Sequence, residues 1–248
     1  MKRRADLLLV ERGLAESRSR AQSLLMAGRV YRGDRRVEKA GELVDESTEL
    51  RVREPERFVS RGGYKLEGAL DDLGIDVEGW VAVDIGASTG GFTDCLLQRG
   101  ASRVFAVDVG HGQLAQKLRD DPRVDNREGV NARYLEPDAF DVSIDGIVVD
   151  ASFIGLQKLL PAIHRILAPN GRLLAMVKPQ FEVGKEIARR FRGVIRDPAV
   201  RQAAIDKVGE ELNQAGFTLR SGCACRLPGP RGNVEHFLYA IRGDHSRG

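Results

Sequence analysis

Four ionisable residues in this 248-residue chain stand in settings that do not suit an ordinary solvated role. Lys65 lies in SRGGYKL, Asp150 ends the run GIVVD, Lys178 ends LLAMVK, and Glu235 stands in GNVEHF at the start of a final apolar run. The runs before Asp150 and Lys178 read as buried strands, so both side chains fall at strand carboxyl ends, where open α/β sheets bind ligands. A carboxylate flanked by two ammonium groups stays ionised, and burial beside like charge lowers the proton affinity of a lysine. Such a set suits the removal of a proton from a weakly acidic hydroxyl. Lys178 would act as general base or as direct stabiliser of the oxyanion, Asp150 would orient it, and Lys65 with Glu235 would position the group that carries the hydroxyl. This chemistry requires no metal. Two surface lysines in ion pairs with two surface acids is a fair alternative for any one of these residues and a poor one for all four.

A second cluster precedes Asp150. The strand pattern Val81–Ile85 runs into DIGASTGGF, residues 84–92. Small residues after a buried strand allow a tight turn and a close backbone approach to a ligand, and the helix that follows favours an anionic group at its N-terminus. Gly86, Ala87, Ser88, Gly90, Gly91 and Phe92 therefore form a candidate wall of a nucleotide-type pocket. The spacing is not GxGxxG, and the next strand ends VFAVDVG, which puts the carboxylate of Asp108 where it can accept both hydroxyls of a ribose. These two details favour S-adenosylmethionine over a nicotinamide dinucleotide. Asn131, in REGVNAR, is placed near an adenine, with Asp150 on the same rim, and His111 is expected at the pocket wall.

Elements that position these groups follow from periodicity. Candidate strands are Val81–Ile85, Arg103–Val107, Gly146–Val149, Arg172–Val177, Thr218–Arg220 and Val234–Ile241, with helical segments at 92–99, 155–167 and 197–215. Alternation of β and α implies a mainly parallel sheet covered on both faces. The last two strands, with GPRGN between them, read as a hairpin closing one edge. Trp80, just before the first strand, reads as packing, and Phe181 as a loop aromatic on its own turn.

The N-terminal part differs in charge. Residues 1–39 hold 11 Lys/Arg against 5 Asp/Glu, whereas residues 61–248 balance at 25 against 25. A basic block on a near-neutral body is the electrostatic footprint of a nucleic-acid module. Helices are expected over 4–12 and from a Ser17 cap to Leu25 or Met26, followed by short strands near Val30–Tyr31 and Leu50–Val52. Arg18, Arg20, Arg29, Arg32, Arg35 and Arg36 can then crowd one surface, with Arg18 and Arg20 free to meet phosphates, and Arg3 and Arg4 are further RNA-binding candidates. Arg61, Lys185 and Arg189 are candidates for extending that track over the larger domain.

The stretch RADLLLVERGLAESRSRAQSLLMAGRVYRGDRRVEKAGELV resembles a ribosomal-protein-S4-type RNA-binding domain, with Arg32-Gly33 and Lys39-Ala40-Gly41 departing from its usual turns. The four ionisable residues match the Lys-Asp-Lys-Glu tetrad of FtsJ-like ribose 2′-O-methyltransferases. SRGGYKL, DIGASTGGFTD, VFAVDVGHGQL, VVDASFI, MVKPQFE, GVIRDP and GNVEHF together resemble the TlyA family, rRNA methyltransferases historically labelled haemolysins. The resemblance implies a Rossmann-like class I methyltransferase fold behind a small α+β module, S-adenosylmethionine as cofactor, and a ribose 2′-hydroxyl of ribosomal RNA, on a cytidine, as acceptor in naked rRNA or ribosomal subunits. Domain boundaries of 1–53, a linker at 54–60, and 61–248 follow.

No apolar run approaches the ~20 residues that span a bilayer, and the opening MKRRADLLLVERG is too soon interrupted for a signal peptide. A cytoplasmic location is expected, and a membrane-active cytolysin is disfavoured. An inactive methyltransferase domain would lack a tetrad member, and all four are present. An enzyme acting on protein or a small molecule would leave the basic module unexplained. Three cysteines with no zinc-ligand spacing are expected to be reduced thiols.

Overall fold

Ser17 has extended backbone and its hydroxyl accepts from the Arg20 amide at 3.2 Å, so the second helix starts where a capping residue allows it. In this computed structural model, residues 1–53, 56–229 and 231–243 are described, and the chain divides into two units, Met1–Arg57 and Phe58–Gly248. In the first unit, β1 (Lys2–Arg4) leads into α1 (Ala5–Glu11), then α2 (Arg18–Met26), β2 (Val30–Arg32), β3 (Arg35–Arg36), β4 (Leu43–Asp45) and β5 (Leu50–Val52). Strands β3, β2 and β5 form one antiparallel sheet and β1 pairs with β4 in another. Leu8, Leu9, Leu24, Leu25, Val30 and Leu50 close a separate small core.

Inside this unit Asp6 is fully buried, which demands compensation. Arg4 donates to both its oxygens at 3.0 Å, Arg18 Nε at 3.0 Å and Gln22 Nε2 at 3.1 Å. The Arg4 guanidinium first, then these other donors, hold the Asp6 carboxyl far below the usual carboxylate range. Arg18 is therefore tied to its own unit through Nε, although its side chain stays 55% exposed. Asp6, a buried acid on the preceding helix and twelve residues earlier, accepts from that Nε, a contact invisible to helix periodicity.

The second unit contains α3 (Arg61–Leu73), β6 (Val81–Ile85), α4 (Gly91–Gln98), β7 (Arg103–Asp108), α5 (Gln116–Arg119), β8 (Val124–Glu128), β9 (Ile144–Val149), α6 (Leu160–Ile166), β10 (Leu167–Val177), α7 (Pro179–Glu182), α8 (Gly184–Arg190), α9 (Pro198–Gln214), β11 (Phe217–Ala224) and β12 (His236–Arg242). Its seven strands run in the order β11-β12-β10-β9-β6-β7-β8. All neighbours from β10 to β8 are parallel, and β12 lies antiparallel between β10 and β11. The expected edge hairpin is present, with its second strand on the inside. A Rossmann-like sheet follows, covered on both faces. Val83, Ile147, Leu173 and Leu238 pack into one core cluster, and Leu66, Leu70, Leu96, Val148 and Leu174 into the other. Each such side chain contributes about 1.5–3 kcal/mol through its burial.

Lys65 belongs to a full helix, α3, which is absent from the helical segments read from periodicity. Ser60 caps α3 by accepting from the Gly62 amide at 3.3 Å, and Gly74 ends it at φ +62°. The Gly62-Gly63 pair weakens the local helix signal. Tertiary packing explains Gly63: a Cβ there would lie 2.3 Å from the Phe58 ring. Glu54 and Pro55 of the expected linker lie outside the described residues.

Candidate active site

The carboxyl ends of β6, β7, β9 and β10 open onto three cavities of ≈480, ≈350 and ≈650 Å³, and Gly86, Ser88 and Asp150 line all three. The parallel order of the central strands creates this convergence, because their carboxyl ends all lie on the same side of the sheet.

The largest cavity holds all four ionisable residues singled out above. Lys178 follows the last residue of β10, and its Nζ stands 2.5 Å from Asp150 Oδ1 in an ion pair. The same Nζ donates to Ser152 Oγ at 2.7 Å. Lys65 reaches the cavity from α3 and donates to Glu235 Oε2 at 2.5 Å. Lys65, Lys178 and Glu235 are buried, with 7%, 8% and 2% exposure. Burial pushes the Asp150 carboxyl upward, opposed by the charges of Lys178 and Lys65. Two cross-cavity pairs thus hold two ammonium groups and two carboxyls in one polar pocket. The ion-pair alternative is correct about pairing and wrong about location, since these pairs are not on the outer surface.

Asp84 shares this region without lining any of these three cavities. It is fully buried, accepts from the Thr93 amide and hydroxyl through Oδ2, and leaves Oδ1 with no partner. Desolvation raises its carboxyl to about 7.

The two smaller cavities divide the glycine-rich segment. Ser88 and Asp108 border the first, with Asn131, Gln113 and the apolar side chains of Ile85, Val107, Val130 and Ile154. Ala87, Gly91 and Phe92 border the second, beside Ser60, Arg61, Gly62 and Lys65 of the α3 end. Gly86 has φ +86°, and a Cβ there would lie 2.9 Å from the Asp150 carbonyl oxygen, so only glycine permits this close turn. Gly90 lines neither cavity; its missing Cβ accommodates Leu118 and Leu114. Asp108 accepts the Ser88 amide at 2.8 Å on Oδ2 and the Gly110 amide at 2.7 Å on Oδ1. These bonds fix the carboxylate and leave lone pairs for further donors. An acid of this kind beside apolar walls fits a nucleoside with a ribose diol. Asn131 Oδ1 caps a 3₁₀ turn by accepting the Arg133 amide. His111 is not among the lining residues of these cavities; its ring lies over Gly129, where a Cβ would meet it at 2.4 Å.

Other expectations resolve individually. Trp80 is buried, with its ring filling the space over Gly146. Phe181 packs at 5.3 Å centroid distance on Phe153, which is 92% exposed and holds φ +65°. Among the arginines, Arg3 pairs with Glu11 at 2.7 Å and Arg32 with Glu42 at 3.3 Å. Arg20 and Arg29 line a shallow cavity of ≈460 Å³ with Arg53, whose guanidinium sits 4.1 Å over the Tyr31 ring. Arg61 donates to the Pro228 carbonyl at 3.0 Å, and Arg189 is exposed on α8. The side chain of Lys185 lies outside the described residues. Cys95 is buried and Cys223 and Cys225 are half-buried, and no cluster of three or more metal-binding side chains occurs among the described residues.

Sequence reasoning missed Ser152, Gln113 and Asn233. Asn233 is buried and ties two loops by accepting the Ile195 amide and donating to the Gly193 carbonyl, both at 2.9 Å. A hydroxyl two residues after Asp150 was the only available hint of Ser152.

Two family descriptions match this arrangement: an FtsJ-like methyltransferase over residues 58–242 and an S4 domain over residues 3–50. The chain belongs to the FtsJ-like methyltransferases. Within them it is a TlyA-family member, with the S4 domain in front. The 16S/23S rRNA (cytidine-2′-O)-methyltransferase TlyA of Mycobacterium tuberculosis H37Rv is 45% identical over 95% of this chain and 88% of its own length. Hemolysin A of Brachyspira hyodysenteriae is 36% identical over 96% of this chain and 99% of its own. A solved Streptococcus thermophilus structure described as a hemolysin candidate superposes with a TM-score of 0.75 at 41% identity, covering 98% of this chain and 89% of that one. No helix among the described residues is long and apolar enough to cross a membrane.

Proposed function

We propose that this TlyA-family member methylates a ribose 2′-hydroxyl of ribosomal RNA, on a cytidine, with S-adenosylmethionine as methyl donor. The observation that carries this reading is the sharing of Asp150, Gly86 and Ser88 by the nucleoside-like cavities and the cavity holding Lys65, Lys178 and Glu235. The cytidine and the ribosomal target are inferred from the name of the M. tuberculosis relative.

Asp108 would hold the ribose hydroxyls of the cofactor, the apolar walls and Asn131 its adenine, and Gly86, Ala87, Gly91 and Phe92 its amino-acid end. The cofactor supplies an electrophilic methyl on a sulfonium. Lys178 would take the proton of the 2′-hydroxyl or stabilise the forming oxyanion, while Asp150 and Ser152 aim its Nζ. Lys65 and Glu235, locked together, would hold the acceptor ribose in place. Arg20 and Arg29, together with Arg53, are the favoured phosphate contacts of the S4 unit, because Arg3, Arg4, Arg18 and Arg32 already pair with its own carboxylates.

The test is transfer of labelled methyl to ribosomal subunits and to naked rRNA. The label should appear as a ribose methyl resistant to alkaline cleavage. Lys178→Ala should abolish it while S-adenosylhomocysteine binding persists. Normal transfer by that variant refutes the mechanism. Release of dye from liposomes by the purified protein would favour a cytolysin instead.

A further inference from the structure

Gln113 follows β7 by five residues, in a segment with no assigned role. Its side chain folds back over Gly110, where a Cβ would lie 1.9 Å from Gln113 Nε2 and 3.2 Å from Asp108 Oδ1. The absence of a side chain at Gly110 therefore lets a carboxamide lie beside the Asp108 carboxylate. Gln113 Oε1 accepts from Ser88 Oγ at 3.1 Å, which fixes the amide orientation and turns Nε2 away from that contact. Ser88 itself has φ +49°, an unfavourable conformation for a residue with a Cβ. Its amide bond to Asp108 and its hydroxyl bond to Gln113 hold it there.

The segment that carries Gln113 is tied at both ends. Glu128, the last residue of β8, accepts the Gln113 amide at 2.9 Å and the Leu114 amide at 3.2 Å, and Arg119 braces the same oxygen at 2.7 Å. These backbone donors, with that of Gly112 foremost, hold the Glu128 carboxyl down at about 2. On the other side, Ala115 donates to the Thr89 carbonyl at 3.2 Å, and Leu114 and Leu118 occupy the space a Cβ on Gly90 would need, at 2.7 and 2.2 Å. Residues 110–118 thus form a strap fastened across the glycine-rich turn, with Gln113 facing the same ≈480 Å³ cavity as Asp108.

We propose that Gln113 is the donor half of a diol-reading pair. Asp108 accepts from ribose hydroxyls, and Gln113 Nε2 donates to one of their oxygens. Glu128 is a positioning residue that acts through the strap. The inference rests on the proposed use of S-adenosylmethionine.

Calorimetric titration of the full chain with S-adenosylhomocysteine and with its 2′-deoxy and 3′-deoxy analogues tests it. Gln113→Ala should weaken S-adenosylhomocysteine about fivefold to tenfold, the loss expected for one neutral hydrogen bond. It should weaken one of the deoxy analogues much less, so that selectivity for the full diol falls. Gln113→Glu, which sets a second carboxylate beside Asp108, should weaken binding further, with partial recovery as pH falls. Unchanged affinity in Gln113→Ala, or equal loss for all three ligands, overturns the proposal. Failure of the unsubstituted chain to bind S-adenosylhomocysteine would instead overturn the reading of the cofactor.

Discussion

Glu235→Leu isolates the energetics of the buried Lys65–Glu235 pair. Both side chains are more than nine-tenths buried and their charged atoms stand 2.5 Å apart. Removing one partner strands the other in a poorly solvated site, a change that costs about 3–5 kcal/mol in buried pairs. Lys65 also borders two cavities that admit water, so the lower end, about 3 kcal/mol, applies here. The chain has a single tryptophan, Trp80, buried beside the first strand of the same unit, so its fluorescence reports that unit alone. With a slope of about 3 kcal/mol per molar, Glu235→Leu should lower the urea midpoint by about 1 M. Lys65→Met combined with Glu235→Leu should restore stability to within about 1 kcal/mol of the unsubstituted chain, because a buried pair gains little net over apolar groups of like size. The double variant should still not transfer methyl. An unchanged midpoint in Glu235→Leu, or a double variant as unstable as the two single losses together, refutes the assignment of this pair as a buried, mutually compensating one.

Asp84 carries the opposite sign. Its folded value near 7 lies above the ordinary value of 3.8, so its contribution is full below pH 4 and is lost as pH rises toward and through 7. Asp84→Asn should therefore be more stable to urea than the unsubstituted chain at pH 8.5, by a few kcal/mol at most, and the difference should shrink steadily as pH falls from 7 toward 4. Asp6 behaves as a depressed acid: its contribution is present above pH 4 and fades as pH falls. Asp6→Asn should speed amide exchange in 5–11 and 18–26 at pH 7 by about tenfold, as expected for the loss of about 1–2 kcal/mol of charged hydrogen bonding, and the difference should shrink in acid. Ser152→Ala removes one of the groups that aim Lys178 Nζ and should lower kcat about threefold to tenfold with S-adenosylmethionine KM unchanged, measured in steady state.

Much of this molecule is legible along the chain because buried parallel strands advertise themselves as short apolar runs, and their ends are marked by the first polar residue. Asp108, Asp150 and Lys178 are found that way, and Val81–Ile85 is read to the residue. Helix α3 is harder, since Gly62 and Gly63 lower its local propensity and only contact with Phe58 explains them. The fate of the basic residues is harder still. Arg18 and Arg20 look alike in sequence, yet Asp6 takes the first and leaves the second on an open surface.

Composition and spacing by themselves pointed to the class of fold, the basic front module, and the four ionisable residues that meet in one cavity. Only the tertiary structure decided that Lys65 pairs with Glu235 and Lys178 with Asp150, that Ser152 joins the second pair, that Gln113 lies beside Asp108, and that Arg4 and Arg18 pair within their own unit. The physical reason is range. Periodicity records which side of an element faces the core, over a few residues. Pairing energies between charges depend on distances of a few ångströms, and across 170 positions, as between Lys65 and Glu235, the folded sheet alone sets such distances.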